Sequence, residues 1–253
     1  MKPGRPYCRR FAGQVVALGA LLAAAGGPGE AEDFAQGITI FPVTIEFPPG
    51  QLAAVLTLQN DGDRDLPFQA RPYAWGQPQG PDTLAETDLL AVSPPLGVVP
   101  AHGRQVVRLV LRRSAGAREA AYRIIVDQIP PPPEAGVVGF SLRVSIPVFA
   151  EPQGRAAPHA RWRLEATEGG AALVAANDGD RRQVVRDMVL TAPDGRRAEV
   201  GRGLSPYILA GATRRWPLAR GSPTPRPGED YRLTARADTG AIDQVVTVER
   251  ADP

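Results

Sequence analysis

The sequence predicts an all-β protein: two β-sandwich domains in tandem. Three observations carry this. Gly and Pro number 27 each in 253 residues and are scattered along the whole chain rather than gathered in one tail. The segments between them alternate apolar and polar residues, the period of an extended strand, and helical periodicity is scarce. A five-residue turn motif also recurs at a spacing of one whole domain. Many short strands with frequent Gly and Pro turns are the signature of a sandwich.

Taken in order, residues 1–31 read as an export leader. Lys2, Arg5, Arg9 and Arg10 make a basic start, and Val15 to Ala25 is an apolar run too short and too rich in Ala and Gly to span a bilayer well. Cleavage is expected after Ala31, with Ala35 the alternative. Arg9-Arg10-Phe11 is a faint twin-arginine pattern. Strand alternation then begins. Ile38 and Ile40 share one phase, and Val43, Ile45 and Phe47 share the other. The flip falls at Phe41-Pro42, where a proline cannot donate to a ladder, so the strand is expected to bulge or to cross between sheets. Further strands are expected at Ala53–Gln59, Phe68–Trp75, Leu89–Ser93, Gln105–Leu111 and Ala121–Ile129.

The last strand of this half is the longest. Val138, Phe140, Leu142, Val144, Ile146 and Val148 all occupy even positions, so one face carries every apolar side chain. It is entered from the Pro/Gly-rich run Pro130 to Gly136. Such a strand can line its own core, or it can pair at a sheet edge and offer a row of apolar knobs to another protein. Seven or so strands in about 115 residues fit an immunoglobulin-like sandwich, expected over residues 36–150.

The second half repeats the theme. Asn60-Asp61-Gly62-Asp63-Arg64 recurs as Asn177-Asp178-Gly179-Asp180-Arg181, each copy preceded and followed by an apolar strand. Asn-Asp-Gly suits a chain reversal because Asn and Gly tolerate positive φ. A second immunoglobulin-like domain is therefore expected over 161–253, joined through a linker at 151–160 that holds Pro152 and Pro158. Its strands are expected at Trp162–Thr167, Ala171–Ala176, Val184–Leu190, Arg197–Val200, Thr213–Leu218, Tyr231–Ala237 and Val245–Glu249. Trp162 and Trp216 are expected to anchor its core.

Composition narrows the function. The chain has 29 basic and 27 acidic residues; the leader holds four of the former and one of the latter, which leaves 25 against 26 and a net charge of −1. That balance gives no support to a nucleic-acid partner or an anionic membrane surface. Lys2 is the only lysine and Cys8 the only cysteine, and both lie in the leader. The mature chain thus has no disulfide, thiol nucleophile or cysteine metal site. No second apolar run reaches bilayer length, so no membrane insertion is expected. His102 and His159 are the only histidines, and each sits in a loop sequence. No nucleophile elbow, phosphate-cradling loop or Cys/His spacing accompanies them, so catalytic, metal and cofactor sites are all expected to be absent. Asp61 with Asp63, and Asp178 with Asp180, lack the remaining oxygen ligands of a calcium loop and read as turn formers. Arg112-Arg113 and Arg181-Arg182 read as solvated strand ends.

Several segments in a fixed order now resemble a known family. They are Pro48-Pro49-Gly50 followed by Leu56 to Asn60; Asp88 to Pro95; Val107-Arg108-Leu109; Tyr122 to Pro130; and Ser145-Ile146-Pro147-Val148-Phe149. Behind a leader and ahead of a second sandwich, this order resembles the PapD-like periplasmic pilus chaperones of Gram-negative bacteria. The resemblance covers about Gly37 to Val248 and is strongest in the first half. It implies a boomerang of two immunoglobulin-like domains that lends its long strand to a pilin subunit lacking its own last strand. The subunit then passes to an outer-membrane usher. By position, the implied subunit-binding residues are Val138, Phe140, Leu142, Val144 and Ile146.

The sequence also departs from the family pattern. Well-studied members anchor the subunit's C-terminal carboxylate with an Arg on the first strand and a Lys near the end of the long strand; here those positions hold Thr44 and Pro147. Ser145 to Phe149 resembles the archaic, Csu-type branch, in which the carboxylate is expected to be held differently. Arg143, Arg71, Arg108 and Arg123 are the candidate anchors, since an Arg forks two bonds to a carboxylate. Self-association of the free protein through its exposed edge stays open. So do two other functions: a structural or adhesive surface protein built of immunoglobulin-like domains, and a periplasmic enzyme on a sandwich scaffold.

Overall fold

A computed structural model describes residues 37–78, 80–130, 132, 140–167, 170–219, 222 and 225–250. Val138, the leader and most of the Pro/Gly-rich run lie outside the described residues. Eighteen strands and no helix are present among the described residues. In chain order they are β1 Ile38–Phe41, β2 Ile45–Phe47, β3 Ala53–Asn60, β4 Leu66–Gly76, β5 Thr83–Glu86, β6 Leu90–Ser93, β7 Leu96–Val99, β8 Arg104–Leu111, β9 Ala120–Gln128 and β10 Arg143–Ala150. The second half holds β11 Ala160–Thr167, β12 Gly170–Asn177, β13 Gln183–Thr191, β14 Arg197–Val200, β15 Tyr207–Ile208, β16 Thr213–Pro217, β17 Asp230–Ala237 and β18 Gly240–Arg250.

The first half is a sandwich of two sheets. One runs β1-β3-β8-β6, and the other β2-β10-β9-β4-β5, with β7 also pairing β4. Alternation places Leu56, Leu58, Leu109, Phe68, Ile124, Ile146 and Val148 between the sheets, all 2 % exposed or less. The phase flip at Phe41-Pro42 is a crossing: β1 pairs β3 in one sheet, and β2 pairs β10 in the other. Val43 lies in that crossing rather than in a strand and is exposed. The alternation missed β5 and β7. All four residues of β5 face solvent, so no apolar period marks it, and β7 is four residues with Gly97 inside it.

The second half is one continuous path, β14-β13-β17-β18-β11-β12-β16, with β15 on the side of β13. The path folds over on itself because the end of β18 pairs with β11 in parallel, Leu164 opposite Val248. Trp216 lies in the core without exposure, and Trp162 stacks on it at 5.7 Å between ring centroids.

The repeated turn motif builds the same corner twice. Asn60 is 1 % exposed and donates through Nδ2 to the carbonyls of Arg64 (2.7 Å), Val99 (3.1 Å) and Pro100 (3.1 Å), while its Oδ1 accepts from the Gly62 N–H. Asn177, also 1 % exposed, donates to Arg181 (2.8 Å), Ile208 (3.2 Å) and Leu209 (3.2 Å), and accepts from the Gly179 N–H. Each buried amide ties its own turn to a facing turn, at Pro100–Gly103 and at Leu209–Ala212. Both facing turns need a left-handed residue: His102 takes φ 54° and Gly211 takes φ 70°.

The halves meet on an aromatic cluster. Trp75 and Phe149 from the first half pack against Tyr207 and Leu209 from the second, with the three ring centroids 5.4–5.8 Å apart. Arg182 overturns its reading as a solvated strand end. It is 6 % exposed, lies 3.7 Å above the Phe149 ring, and donates to Glu119 Oε2 at 2.5 Å and to Glu46. The carboxylates it meets come from β2 and the approach to β9, so sequence distance hid the pairing. A second link runs through Gln77, whose Oε1 accepts from the Leu209 N–H and whose Nε2 donates to the Tyr207 carbonyl.

Candidate functional site: the open edge of β10

β10 is paired unevenly along its two edges. On one side it faces β9 along its whole length, from Arg143 opposite Asp127 to Ala150 opposite Ala120. On the other, β2 covers only Val148 to Ala150. Among the described residues, Arg143 to Pro147 therefore present an unpaired edge. The Leu142 carbonyl accepts from the Gln128 N–H, so even-numbered residues bond toward β9 and odd-numbered ones point their backbone outward. Pro147 falls on the outward parity, where its missing N–H costs no ladder bond.

Exposure along the apolar row falls steadily toward the domain interior. Phe140 is 67 % exposed and Leu142 40 %, Val144 is partly buried against the core, and Ile146 is 2 % exposed. The strand starts at Arg143, so Phe140 and Leu142 belong to the segment entering it. This corrects one expectation: Ile146 fills the core of its own sandwich and is not available to a partner here. Its phase matches Phe140, but its position along the strand places it deep between the sheets.

The outward face of this sheet gathers three of the four candidate arginines. In register across β10, β9 and β4 run the rows Arg143–Asp127–Gln69, Ser145–Ile125–Arg71 and Pro147–Arg123–Tyr73. Arg108 stands apart: it lies on β8 in the other sheet and faces solvent. Arg71 Nη2 donates to Asp127 Oδ2 at 2.6 Å, and Arg143 Nε donates to Asp127 Oδ1. Burial pushes the Asp127 carboxyl up, but the hydrogen bonds from Arg143 and Arg71 outweigh it and hold the group below its ordinary value. These two arginines are thus already committed to a carboxylate of the protein itself.

Arg123 is different. Its guanidinium lies 3.7 Å above the Trp75 ring and 5.9 Å from the Tyr207 centroid. Among the described residues it makes no hydrogen bond or ion pair. Burial lowers its proton affinity, and the charge of Asp82 opposes this. Beside it, Trp75 is 5 % exposed and its Nε1–H has no hydrogen-bond partner among the described residues. Arg123 is also the cross-strand neighbour of Pro147, the position at which the family pattern carries its lysine. A cation missing from one strand is present on the next. Asp127 and Trp75 escaped sequence reasoning, since a single Asp or Trp in a strand carries no periodic or spacing signal.

Comparison with known proteins agrees with this picture. Residues 37–156 match the family of pili and flagellar-assembly chaperones, PapD N-terminal domain. No curated protein matches the chain by sequence. Solved structures do match by fold. A chain of the CsuC–CsuE chaperone–tip adhesion subunit pre-assembly complex, from archaic chaperone-usher Csu pili of Acinetobacter baumannii, aligns with TM-score 0.64 at 20 % identity, over 85 % of this chain and 99 % of that one. The CupB2 chaperone of Pseudomonas aeruginosa aligns with TM-score 0.54 at 16 % identity, over 83 % of this chain and 100 % of its own. A chain of the Salmonella enterica SafA pilin–SafB chaperone complex aligns with TM-score 0.55 at 17 % identity, over 83 % and 94 %. At these identities the structures establish a shared two-sandwich fold. Residues 37–156 thus belong to the family of pili and flagellar-assembly chaperones, PapD N-terminal domain, and the chain shares the two-sandwich fold of the solved chaperone structures.

Proposed function

We propose that this chain is a periplasmic chaperone that binds incomplete pilin subunits by donor-strand complementation and passes them to an outer-membrane usher. Residues 1–31 act as the cleaved leader, 36–150 as the donor domain and 161–253 as the second domain, joined by 151–160. One observation carries the reading: an unpaired edge at Arg143 to Pro147 continues into a segment whose Phe140 and Leu142 are exposed. A strand added to such an edge gains general affinity from backbone hydrogen bonds and register from alternate side chains. Burying a large apolar side chain fully contributes about 1.5–3 kcal/mol. The likeness to a chain of a chaperone–tip adhesion subunit complex supports the same use and the archaic branch.

The subunit's terminal carboxylate docks on Arg123, which is half-buried, unpaired among the described residues, and beside the family's anchoring position. Arg71 and Arg143 would first have to release Asp127. Nothing in this scheme requires catalysis or a cofactor. When no subunit is present, the same apolar segment offers a route to self-association.

Co-purification with a pilin subunit that lacks its last strand tests the proposal. Phe140→Asp and Leu142→Asp should each abolish recovery of the subunit while leaving the melting temperature unchanged, because neither side chain belongs to the core. Full recovery with either variant would remove the donor-segment reading.

A further inference from the structure

Asp127 is a carboxylate that the functional reading does not use, yet it sits where the chain enters the donor strand. Its side chain is 16 % exposed, and each of its oxygens is taken by a different arginine, Oδ2 by Arg71 of β4 and Oδ1 by Arg143 of β10. The next residue of β9, Gln128, holds Leu142 twice: its backbone N–H donates to the Leu142 carbonyl at 2.9 Å, and its Oε1 accepts from the Leu142 N–H at 3.3 Å. Four hydrogen bonds thus converge on one step of the sheet, and three strands are tied there.

The step matters because of what lies on either side. Beyond it, toward Phe140, no strand is formed. Within it, among the described residues, β10 has no neighbour on its outer edge until Val148, and β9 alone holds the first five residues. A slip of one residue in a strand moves every side chain to the opposite face. Here it would turn Leu142 and Val144 away from their present side and carry Phe140 with them.

We propose that Asp127 is a positioning residue: through Arg143 it fixes the register and the exit point of the segment that carries Phe140 and Leu142. The inference rests on the donor-segment reading for its functional consequence, though the clamp itself can be measured without a subunit. A surface ion pair usually contributes little. This one differs because the carboxylate is mostly buried, receives two guanidiniums and lies at the last held step of a one-sided strand.

The test is amide hydrogen exchange on the free, full mature chain, with subunit affinity measured alongside. Even-numbered amides of β10 point at β9, so Leu142 and Val144 report the clamp, and Arg123 and Ile125 of β9, whose amides point at β4 instead, serve as internal controls. Asp127→Asn should raise exchange at Leu142 and Val144 by about tenfold, as expected for loss of a charge-assisted hydrogen bond. Arg123 and Ile125 should not change. Asp127→Glu should restore most of the protection, which a purely steric role would not predict. Arg143→Gln should reproduce the local loosening if Asp127→Asn folds poorly. Subunit affinity should fall with the loosening.

Unchanged exchange at Leu142 and Val144 would overturn the clamp. So would an equal rise throughout β9, which would mean general destabilisation. Local loosening with unaltered subunit affinity would leave the clamp standing and overturn the donor-segment reading instead.

Discussion

Asn60 and Asn177 show how much a single side chain decides in this fold. Each amide satisfies three backbone carbonyls at the end of a sandwich, and buried carbonyls left without donors are costly. Asn177→Ala should therefore lower stability by about 2–3 kcal/mol, the order expected for several unmet acceptors, read as a shift in denaturant midpoint at constant slope. Asn60→Ala should act alike in the first half, and a loss below about 0.5 kcal/mol, the level of an ordinary surface substitution, would contradict the corner role. The repeat of five residues was legible in the sequence; the burial of its first residue was not. Turn chemistry explains why Asn, Asp and Gly occur there, whereas the carbonyls that Asn60 meets lie 39 and 40 residues away. Arg182 makes the same point. Two adjacent arginines carry no sign of which one is covered, and the covering groups, Glu119 and Glu46, are 63 and 136 residues distant.

At the scale of the element, alternation names a strand and its faces but not where along it the core ends. Phe140 and Ile146 share a phase, yet they differ from 67 % to 2 % exposed because the facing sheet covers only one of them. Ile146→Asp should consequently unfold the first sandwich, since an unpaired carboxylate would replace a core side chain. The milder Ile146→Ala should cost about 2–5 kcal/mol, the range for a truncated core Ile. Phe140→Ala should leave thermal stability unchanged. Thermal melts of the three variants check the ordering, and equal melting temperatures for Ile146→Ala and Phe140→Ala would refute the division of the row. The strands most easily read were those with one buried face, such as β3, β8 and β17. β5 and the two-residue β15 were invisible for the converse reason: one has no buried residue and the other is too short to show a period. Prolines were informative in both directions. Pro42 marks the crossing between sheets. Pro72 and Pro147 sit inside strands, at places where the neighbouring edge is unpaired: Pro72 lies between the reaches of β7 and β5, and Pro147 precedes β2.

The whole molecule depends on a contact that no local pattern announces. Trp75, Phe149, Tyr207 and Leu209 form a small apolar cluster between two separate cores, and Arg182 closes one side of it with Glu119 and Glu46. Glu119 lies almost wholly out of water, with a side chain 1 % exposed. Replacing Arg182 would leave that charge only the more distant Arg181, at 3.9 Å, and breaking a buried pair typically costs about 3–5 kcal/mol. The cost falls on the junction rather than on either core, because Arg182 of the second half packs on Phe149 and bonds Glu119 and Glu46 of the first. Arg182→Met keeps an apolar stem over Phe149 while removing the charge. It should therefore uncouple the halves, so that calorimetry resolves two transitions where the unmodified chain is expected to give one. The double variant Arg182→Met with Glu119→Leu removes the stranded charge as well and should recover a single transition. A single transition at unchanged temperature in Arg182→Met would mean that the aromatic cluster alone joins the sandwiches. Arg123, stacked on Trp75 at the rim of that cluster, would then owe its position to the aromatic rings and not to the ion pair behind them.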